Sequence, residues 1–397
     1  MVRKICITVG VLTLSTAGLF GQGTLTPAGT PGPTMKTLDQ IEPRKPISKL
    51  PFAISSPGSY YLTANLTAAA SGAGITVHAD SVTIDLNGFT LRGTGGSAAG
   101  VSVPAVQKNL CVRNGTIAEW TSGGVRADTV SGALYEKLRL LSNSGASNSA
   151  GLLAGPGSHV QECEASNQTG IPGISTSHAC TVVNCTSTGN GGGGFLLGDS
   201  NTISNCTGSS NTRTGIKTLT NCSILHCTAG GNVGVAGADG NGIVASFGCA
   251  VIDCTAGGNH GSGIMVGFGS TVRGCTARLN TYFGIYVTGG CQIVGNTMDQ
   301  NNQYGAKYAG IYVEGDTNRI EGNSSTFENG GIGFNIAKSH NLIIRNSARG
   351  NSPNYLIVGD NVYGRVVDQT AASNGGVNGN SGASTLGTTD PWANIAY

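Results

Sequence analysis

Four ionisable side chains lie close together late in the sequence: Lys307, Glu314, Asp316 and Arg319. Elimination from a uronate needs a base to take the proton α to a carboxylate and a cation to stabilise the resulting charge. Lys307 or Arg319 with Glu314 would supply that pair, whereas hydrolysis needs two carboxylates, which Glu314 and Asp316 would supply. Lys307, Glu314 and Asp316 are therefore the candidate catalytic residues. The alternative is that these charges are solvated at the rim of a loop.

Six of the chain's aromatic residues fall between positions 282 and 312. An exposed tyrosine ring offers a flat apolar face that can stack on a sugar ring, while its hydroxyl stays hydrated. Tyr286, Tyr308 and Tyr312 are therefore the candidate substrate-binding residues. The alternative is that these rings only pack a loop onto the body of the protein.

These residues belong to a repeated unit that opens with a Gly-Ile-x-Val-like sequence. Successive units are 21 to 27 residues apart, which fits one turn of a β-solenoid and is too short for a pair of helices. Crossovers between parallel strands are right-handed. The sequence thus predicts an all-β fold, a single right-handed parallel β-helix of about twelve turns. The units open at Gly74, Gly100, Gly124, Gly151, Gly173, Gly194, Gly215, Gly242, Gly263, Gly284, Gly310 and Gly331.

Equivalent positions of the units carry the same residue types and should stack ~4.8 Å apart on successive turns. The apolar residue after each glycine is predicted to fill the core. A cysteine column is expected to be buried, and an asparagine column to occupy a tight bend with hydrogen bonds along the stack. The two ladders are Cys163, Cys185, Cys206, Cys227, Cys254 and Cys275, and Asn190, Asn211, Asn232, Asn259, Asn280 and Asn301.

The cysteine spacing favours thiols over disulfides in the first ladder. Stacked cysteines direct their Cβ atoms side by side, which strains a bridge, and a straight row does not converge on a tetrahedral zinc ion. A second column comprises Cys180, Cys222, Cys249 and Cys291. Cys222 and Cys249 fall on adjacent turns of that column and are the pair predicted to form a disulfide.

The positions of the histidines within the repeat do not indicate a metal centre. His226 and Asp253 occupy equivalent positions of adjacent turns, so they should be surface neighbours and could form an oriented pair. The same column elsewhere contains Glu, Asn and Gly, which indicates a bend that accepts polar or small residues. The other histidines lie at unrelated positions. We predict no metal site and no cofactor.

Two of the units are long because of extra residues after the ladder asparagine, at 233–241 and 302–309. Both loops should leave the same edge of the coil, three turns or ~14 Å apart. Together they are predicted to frame a shallow cleft beside the Gly-Ile-x-Val strands.

The remaining segments suggest export. Residues 1–23 combine a basic start with a short apolar stretch, as in a signal peptide. A Pro-rich lead-in (24–58), the β-helix (59–360) and a Gly/Asn/Ser-rich tail or cap (361–397), with Asp390-Pro391-Trp392 as its anchor, should follow. The net charge of +2 and the lack of a basic patch argue against nucleic acid. No later segment is apolar enough to insert in a membrane, and the oligomeric state stays open.

The turn ITVHADSVTIDLNGFTLRG, the GIxV…CTAxxN units and the turn NLIIRNSARGN resemble the secreted right-handed parallel β-helix repeat proteins of the pectate-lyase-like superfold. The resemblance covers residues 59–360 and implies a binding groove on one outer face, walled by loops. It does not imply one activity, because this superfold hosts many.

Several enzyme motifs of that superfold are absent from the sequence. There is no calcium-type aspartate cluster of pectate lyases and no Asp-Asp of polygalacturonases. The Asp-Pro-His of alginate epimerases is missing too, since Asp390-Pro391 precedes Trp392. His260-Gly261 is similar to a polygalacturonase element but falls at an ordinary bend of the repeat, so we interpret it as structural.

We therefore expect an exported protein that contacts polysaccharide, either as a non-catalytic binder or as a polysaccharide lyase or glycoside hydrolase. The alternatives are a passive envelope component and an adhesin that uses an outward column of threonines. That column comprises Thr186, Thr207, Thr228, Thr255, Thr276 and Thr297.

Overall fold

The computed structural model describes residues 36, 41–68, 71–235, 240–368 and 389–397. The predicted signal peptide lies outside these residues, as do 24–35 and 37–40 of the predicted lead-in and 369–388 of the predicted tail. The contacts within the chain separate a unit that ends at Pro43 from a unit that begins at Arg44. The description below concerns the second unit.

Among the described residues, one sheet of fourteen parallel strands contains the Gly-Ile-x-Val sequences. Its strands alternate inward apolar and outward residues, as Ile264, Met265 and Val266 do, and the inward Ile and Val side chains form the core. One strand precedes and one follows the twelve predicted units. The strands are Phe52–Ile54, Ile75–Val77, Val101–Ser102, Val125–Ala127, Leu152–Ala154, Ile174–Thr176, Phe195–Leu197, Ile216–Thr218, Ile243–Ala245, Ile264–Val266, Ile285–Val287, Ala309–Val313, Ile332–Ile336 and Tyr355–Ile357.

In the part of the chain that the structure describes, the other two faces form a single 28-stranded sheet, because Cys111–Ala118 and Leu134–Leu141 run through the corner between them. The second face also contains Lys45–Ile47, Gly58–Leu62, Val82–Asp85, His159–Gln161, Thr181–Val183, Thr202–Ser204, Ser223–Leu225, Ala250–Ile252, Thr271–Arg273, Gln292–Val294, Arg319–Glu321, Leu342–Ile344 and Val362–Tyr363. The third contains Leu66–Thr67, Thr90–Arg92, Glu164–Ser166, Thr186–Thr188, Thr207–Ser209, Thr228–Gly230, Thr255–Gly257, Thr276–Arg278, Thr297–Asp299, Ser324–Thr326, Ser347–Arg349, Val366–Asp368 and Asn394–Ala396. A separate pair joins Gln107–Lys108 to Val130–Ser131.

The corners of the coil are held by hydrogen bonds from one turn to the next. The N–H of Asn190 donates to Oδ1 of Asn211 at 3.0 Å, and the side-chain amide of Asn190 donates to the same oxygen at 2.9 Å. At a second corner the N–H of Cys185 donates to Sγ of Cys206 at 3.3 Å. The cysteine sulfur thus occupies the place of an amide oxygen, and both predicted ladders are confirmed.

A residue in the left-handed backbone region precedes each ladder residue. Asn184 has φ 54° and Asn205 has φ 53°, a conformation that Asn and Gly tolerate better than most residues. His226 and Asp253 occupy this position, each with φ 52°. The mixed polar and small column is therefore a bend, as the sequence indicated.

The predicted disulfide between Cys222 and Cys249 is wrong. Both thiols are buried and free; the other nine cysteines among the described residues are also free, and all of these but the half-buried Cys111 are buried. The N–H of Cys222 donates to Sγ of Cys249 at 3.4 Å, and that sulfur in turn donates to the carbonyl of Leu219 at 3.0 Å. Each sulfur therefore serves the backbone of a neighbouring turn and does not bond to the other sulfur.

The end of the predicted tail is integrated into the coil. Strand Asn394–Ala396 pairs with Ser347–Arg349, and Oδ1 of its first residue accepts the N–H of Asn346 at 3.0 Å. The guanidinium of Arg345 lies 4.2 Å from the Trp392 ring centroid. Trp392 and the strand after it thus anchor the chain end.

We predict that the eleven described cysteines stay reduced in the folded protein. Ten of the eleven thiols are buried, which keeps reagents away from the sulfurs. Burial also raises the pKa of the Cys180 and Cys291 thiols, so these two carry little reactive thiolate. Native protein should react slowly with iodoacetamide, whereas urea-unfolded protein should be alkylated at all eleven positions without a reductant. Intact-mass measurement reads out both states, and a majority of oxidised thiols would contradict the prediction.

Replacing Asn259 with Ala should destabilise the protein by about 1–3 kcal/mol, because buried hydrogen-bonding groups lose their partners. Asn259 Oδ1 accepts the Asn232 N–H at 3.1 Å, and its amide donates to Asn280 Oδ1 at 2.9 Å. Urea unfolding measures the loss. Thr255→Ala, on the outer surface of the same turn, is the control, and equal stability of the two variants would show that the amide is dispensable.

Candidate functional site

A cleft of about 630 Å³ opens between the two long loops beside the fourteen-stranded sheet. Described residues of the first loop, among them Val233 and Val235, form one wall, and Tyr304 of the second loop lies on the other. The cleft that the loop lengths predict is therefore present.

The floor of the cleft is built by the short turns between the two loops. His260, Gly261 and Ser262 line it, and the backbone bonds of these turns fix its shape: His260 N–H donates to the Asn232 carbonyl, and Ser262 N–H donates to Oδ1 of Asn241 at 2.8 Å. A Cβ at Gly261 would clash with that oxygen. A glycine is thus required where the loop lies on the floor.

Aromatic rings and one methionine line the far side of the cleft. Tyr304 is 76% exposed and Tyr282 is 39% exposed, so both rings are accessible. Tyr286 and Met265 are half-buried and lie side by side on adjacent strands. Of the three predicted binding residues, only Tyr286 lines this cleft.

The other two predicted tyrosines pack behind Phe283. The Tyr312 ring is stacked on Phe283 with centroids 4.7 Å apart, and the Tyr308 ring meets Phe283 edge-on at 4.9 Å. Tyr308 also contacts Tyr282 at 4.9 Å. The two interpretations of the aromatic cluster therefore combine: some rings fix the loop to the coil, and others line the cleft.

A buried carboxyl lies beneath the second loop. Glu328 is fully buried in the asparagine ladder; its Oε2 accepts the Asn301 N–H at 2.7 Å and its Oε1 accepts the Ser325 hydroxyl at 3.0 Å. The side chain of Asn302, at the start of the loop, donates to the Glu328 carbonyl at 3.3 Å. Burial raises the pKa of Glu328 to about 7.

The three candidate catalytic residues do not lie at one point. Lys307 is exposed in the loop before strand Ala309–Val313, whereas Glu314 and Asp316 are exposed after it. Five strand residues, roughly 16 Å, therefore separate the lysine from the carboxylates. Arg319 is ion-paired with Glu321 at 2.7 Å. A catalytic role for Lys307, Glu314 and Asp316 stays a prediction.

His226 and Asp253 are surface neighbours, as expected, with Nδ1 and Oδ2 4.0 Å apart. Both side chains are more than half exposed. Such a pair contributes little energy, and neither residue lines the cleft.

Two lysines flank the cleft along the coil. Lys217 is in register with Val244, which is in register with Met265 of the cleft, and Lys307 belongs to the second loop. Within the ranges that the structure describes, neither lysine is within ion-pair distance of a carboxylate and no carboxylate lines the cleft. The described charges at this site are thus positive.

Sequence comparison finds two families. Residues 123–281 match the family described as right handed beta helix region, and residues 218–382 match the family described as periplasmic copper-binding protein (NosD). No curated protein matches the chain. With the parallel strand registers, these matches show that the chain is a right-handed parallel β-helix protein.

Solved structures whose backbones follow a similar path have sequences that differ strongly from this one. The A-module of mannuronan C-5 epimerase AlgE4 from Azotobacter vinelandii has 16% identity and a TM-score of 0.46, over 78% of this chain and 91% of that one. A variant of the periplasmic alginate epimerase AlgG has 12% identity and a TM-score of 0.44, over 86% and 78%. The Dettilon tailspike protein has 12% identity and a TM-score of 0.40, over 78% and 59%.

The residues in place do not fit a copper site. Copper binding needs several sulfur or imidazole ligands that converge, but the cysteine sulfurs are spread along the coil and bonded to backbone groups. Across the described ranges, no three His, Cys, Asp or Glu side chains converge on one point.

Among the described residues there is no helix long and apolar enough to cross a membrane.

Replacing Glu328 with Gln should remove a pH dependence of stability. Folding raises the pKa of Glu328 from 4.5 to about 7. The protonated side chain therefore adds to the free energy of unfolding below about pH 4.5, and this contribution is lost as the pH rises through about 7. Gln168 occupies the same ladder and accepts the Asn143 N–H at 3.1 Å, so a glutamine fits.

Urea unfolding between pH 5 and pH 8 measures this effect. Between pH 5 and pH 8 the free energy of unfolding should fall less in the variant than in the wild type, and the difference should be on the order of a few kcal/mol. Glu162→Gln, which changes an exposed carboxylate, is the control. Parallel pH profiles of wild type and Glu328→Gln would refute the assignment.

Proposed function

We propose that this protein binds an acidic polysaccharide in the cleft between the two loops, outside the cytoplasm, as a non-catalytic binder. The observation that carries the proposal is the exposed aromatic wall, above all Tyr304. A ring that is mostly exposed at a concave site has its face free to stack on a sugar. The signal-peptide pattern of residues 1–23 supports export.

The charge at the site supports an acidic ligand. Lys217 and Lys307 flank the cleft without a described acidic partner, and His260 lies on its floor. Uronate carboxylates would meet the two lysines along the coil, which adds an electrostatic attraction that salt screens.

A polysaccharide lyase or glycoside hydrolase is the second candidate function, with Lys307, Glu314 and Asp316 as its catalytic residues. The intervening strand argues against it, because acid–base catalysis needs groups within hydrogen-bond reach of one reacting centre. If the protein were a passive envelope component or an adhesin, no saccharide would bind in the cleft. The outward threonines that an adhesin would use form an in-register column, but the β-propensity of threonine alone explains that column.

Calorimetric titration with polygalacturonate and alginate, and with dextran as the neutral control, tests the binding. Tyr304→Ala and Tyr286→Ala should each weaken binding of the acidic polymers by about 1 kcal/mol or more, roughly five-fold in Kd. Tyr363→Ala removes an exposed ring far along the chain from the cleft and should leave Kd unchanged. No binding of either acidic polymer, or equal binding of dextran, would refute the proposal.

Lys307→Ala separates a binder from an enzyme. A binder should lose little affinity, because one rim charge contributes modestly, and neither wild type nor variant should release unsaturated uronate. A lyase would show that product with the wild type and lose most turnover in the variant. Ultraviolet absorbance of the unsaturated product is the measurement.

A further inference from the structure

Two phenylalanines lie exposed at the opposite end of the strands that border the cleft. Phe247 follows strand Ile243–Ala245 and Phe268 follows Ile264–Val266, on adjacent turns. They are 54% and 56% exposed. Their ring centroids are 6.1 Å apart and their planes differ by 23°, so the two near-parallel rings form one apolar surface.

Glycines of the next turns make room for both rings. A Cβ at Gly289 would lie 2.9 Å from the Phe268 ring, and one at Gly267 would lie 3.3 Å from the Phe247 ring. Each ring therefore rests close to a backbone without a side chain, and more than half of its residue surface stays open to solvent. Core packing does not explain such a pair, because neither ring is covered.

The phenylalanine pair lies in the turns that follow two adjacent strands, one of which lines the cleft. Met265 lines the cleft from the middle of strand Ile264–Val266, and Phe268 comes three residues later, in the turn after the strand, so at most ~10 Å of chain separates them. Gly267 adds no side chain between them. A polymer that continues from Met265 along this strand therefore reaches the turn that contains Phe268.

We infer that Phe247 and Phe268 form a second sugar-binding subsite, which stacks on a pyranose ring of the same polysaccharide chain that occupies the cleft. The inference rests on the proposed function and extends it: the ligand is a polymer that crosses the face of the coil. The subsite contains two apolar rings and no cation, so it contributes through stacking, whereas the lysines near the cleft contribute through charge.

The length of the ligand tests the inference. Oligogalacturonates of increasing length are titrated into wild type, Phe247→Ala/Phe268→Ala, Tyr304→Ala and the control Tyr363→Ala. The double variant should bind short fragments like the wild type and lose at least five-fold in affinity for long ones, at low and high salt alike. Tyr304→Ala should weaken binding at every length. Melting temperature checks folding, which loss of two exposed rings should leave intact.

Equal affinity of wild type and double variant for long fragments would overturn the inference while the proposed cleft stands. So would a wild type that self-associates in sedimentation velocity and a double variant that does not, with glycan binding unchanged, since the rings would then contact a second copy. If wild type binds no fragment of any length, the proposed function fails and the subsite fails with it.

Discussion

The coil depends on one hydrogen bond that recurs at its corners: a backbone N–H after a left-handed residue, accepted by a side chain of the next turn. The backbone bends there and leaves the sheet ladder, so its N–H needs another acceptor, and an unsatisfied buried group costs free energy. Asn, Cys, Ser, Gln and Glu all provide one. Asn201, Cys222 and Ser270 alternate in one column for this reason, accepting from Cys180, Asn201 and Cys249.

The same constraint decides where the protein can carry a site. Residues inserted within a strand would break the register of both neighbouring turns, whereas residues inserted after the ladder residue leave the corner intact. Both long loops begin there, after Asn232 and Asn301. The cleft thus exists because two insertions share one corner while the two turns between them stay short. At the second insertion the acceptor is Glu328, so the loop lies directly over the one ionisable member that this ladder shows in the described ranges.

Periodic features could be predicted from the sequence, and features that depend on direction or on loop shape could not. Columns such as Asn211–Asn232–Asn259 repeat, so spacing alone indicates their stacking. Spacing also places Cys222 beside Cys249 but does not say where each sulfur points. The loop lengths predict the cleft, yet they do not say which ring of the loop faces it: Tyr308 is predicted to bind but packs on Phe283, whereas Tyr304 lines the cleft. Glu328 is not predicted, because the column otherwise suggests an amide.

The asparagine ladder also has a direction, and its last members show how the coil stops growing. The N–H and the side-chain amide of Asn351 both donate to Oδ1 of Asn354, at 3.1 and 3.0 Å, within one short segment and not to a further turn. The donors that would otherwise recruit another coil are used up internally. A stack of identical turns is open-ended in principle, and exposed strand edges invite end-to-end polymerisation. The three-residue spacing at this corner therefore leaves neither of these Asn351 donors for a further turn.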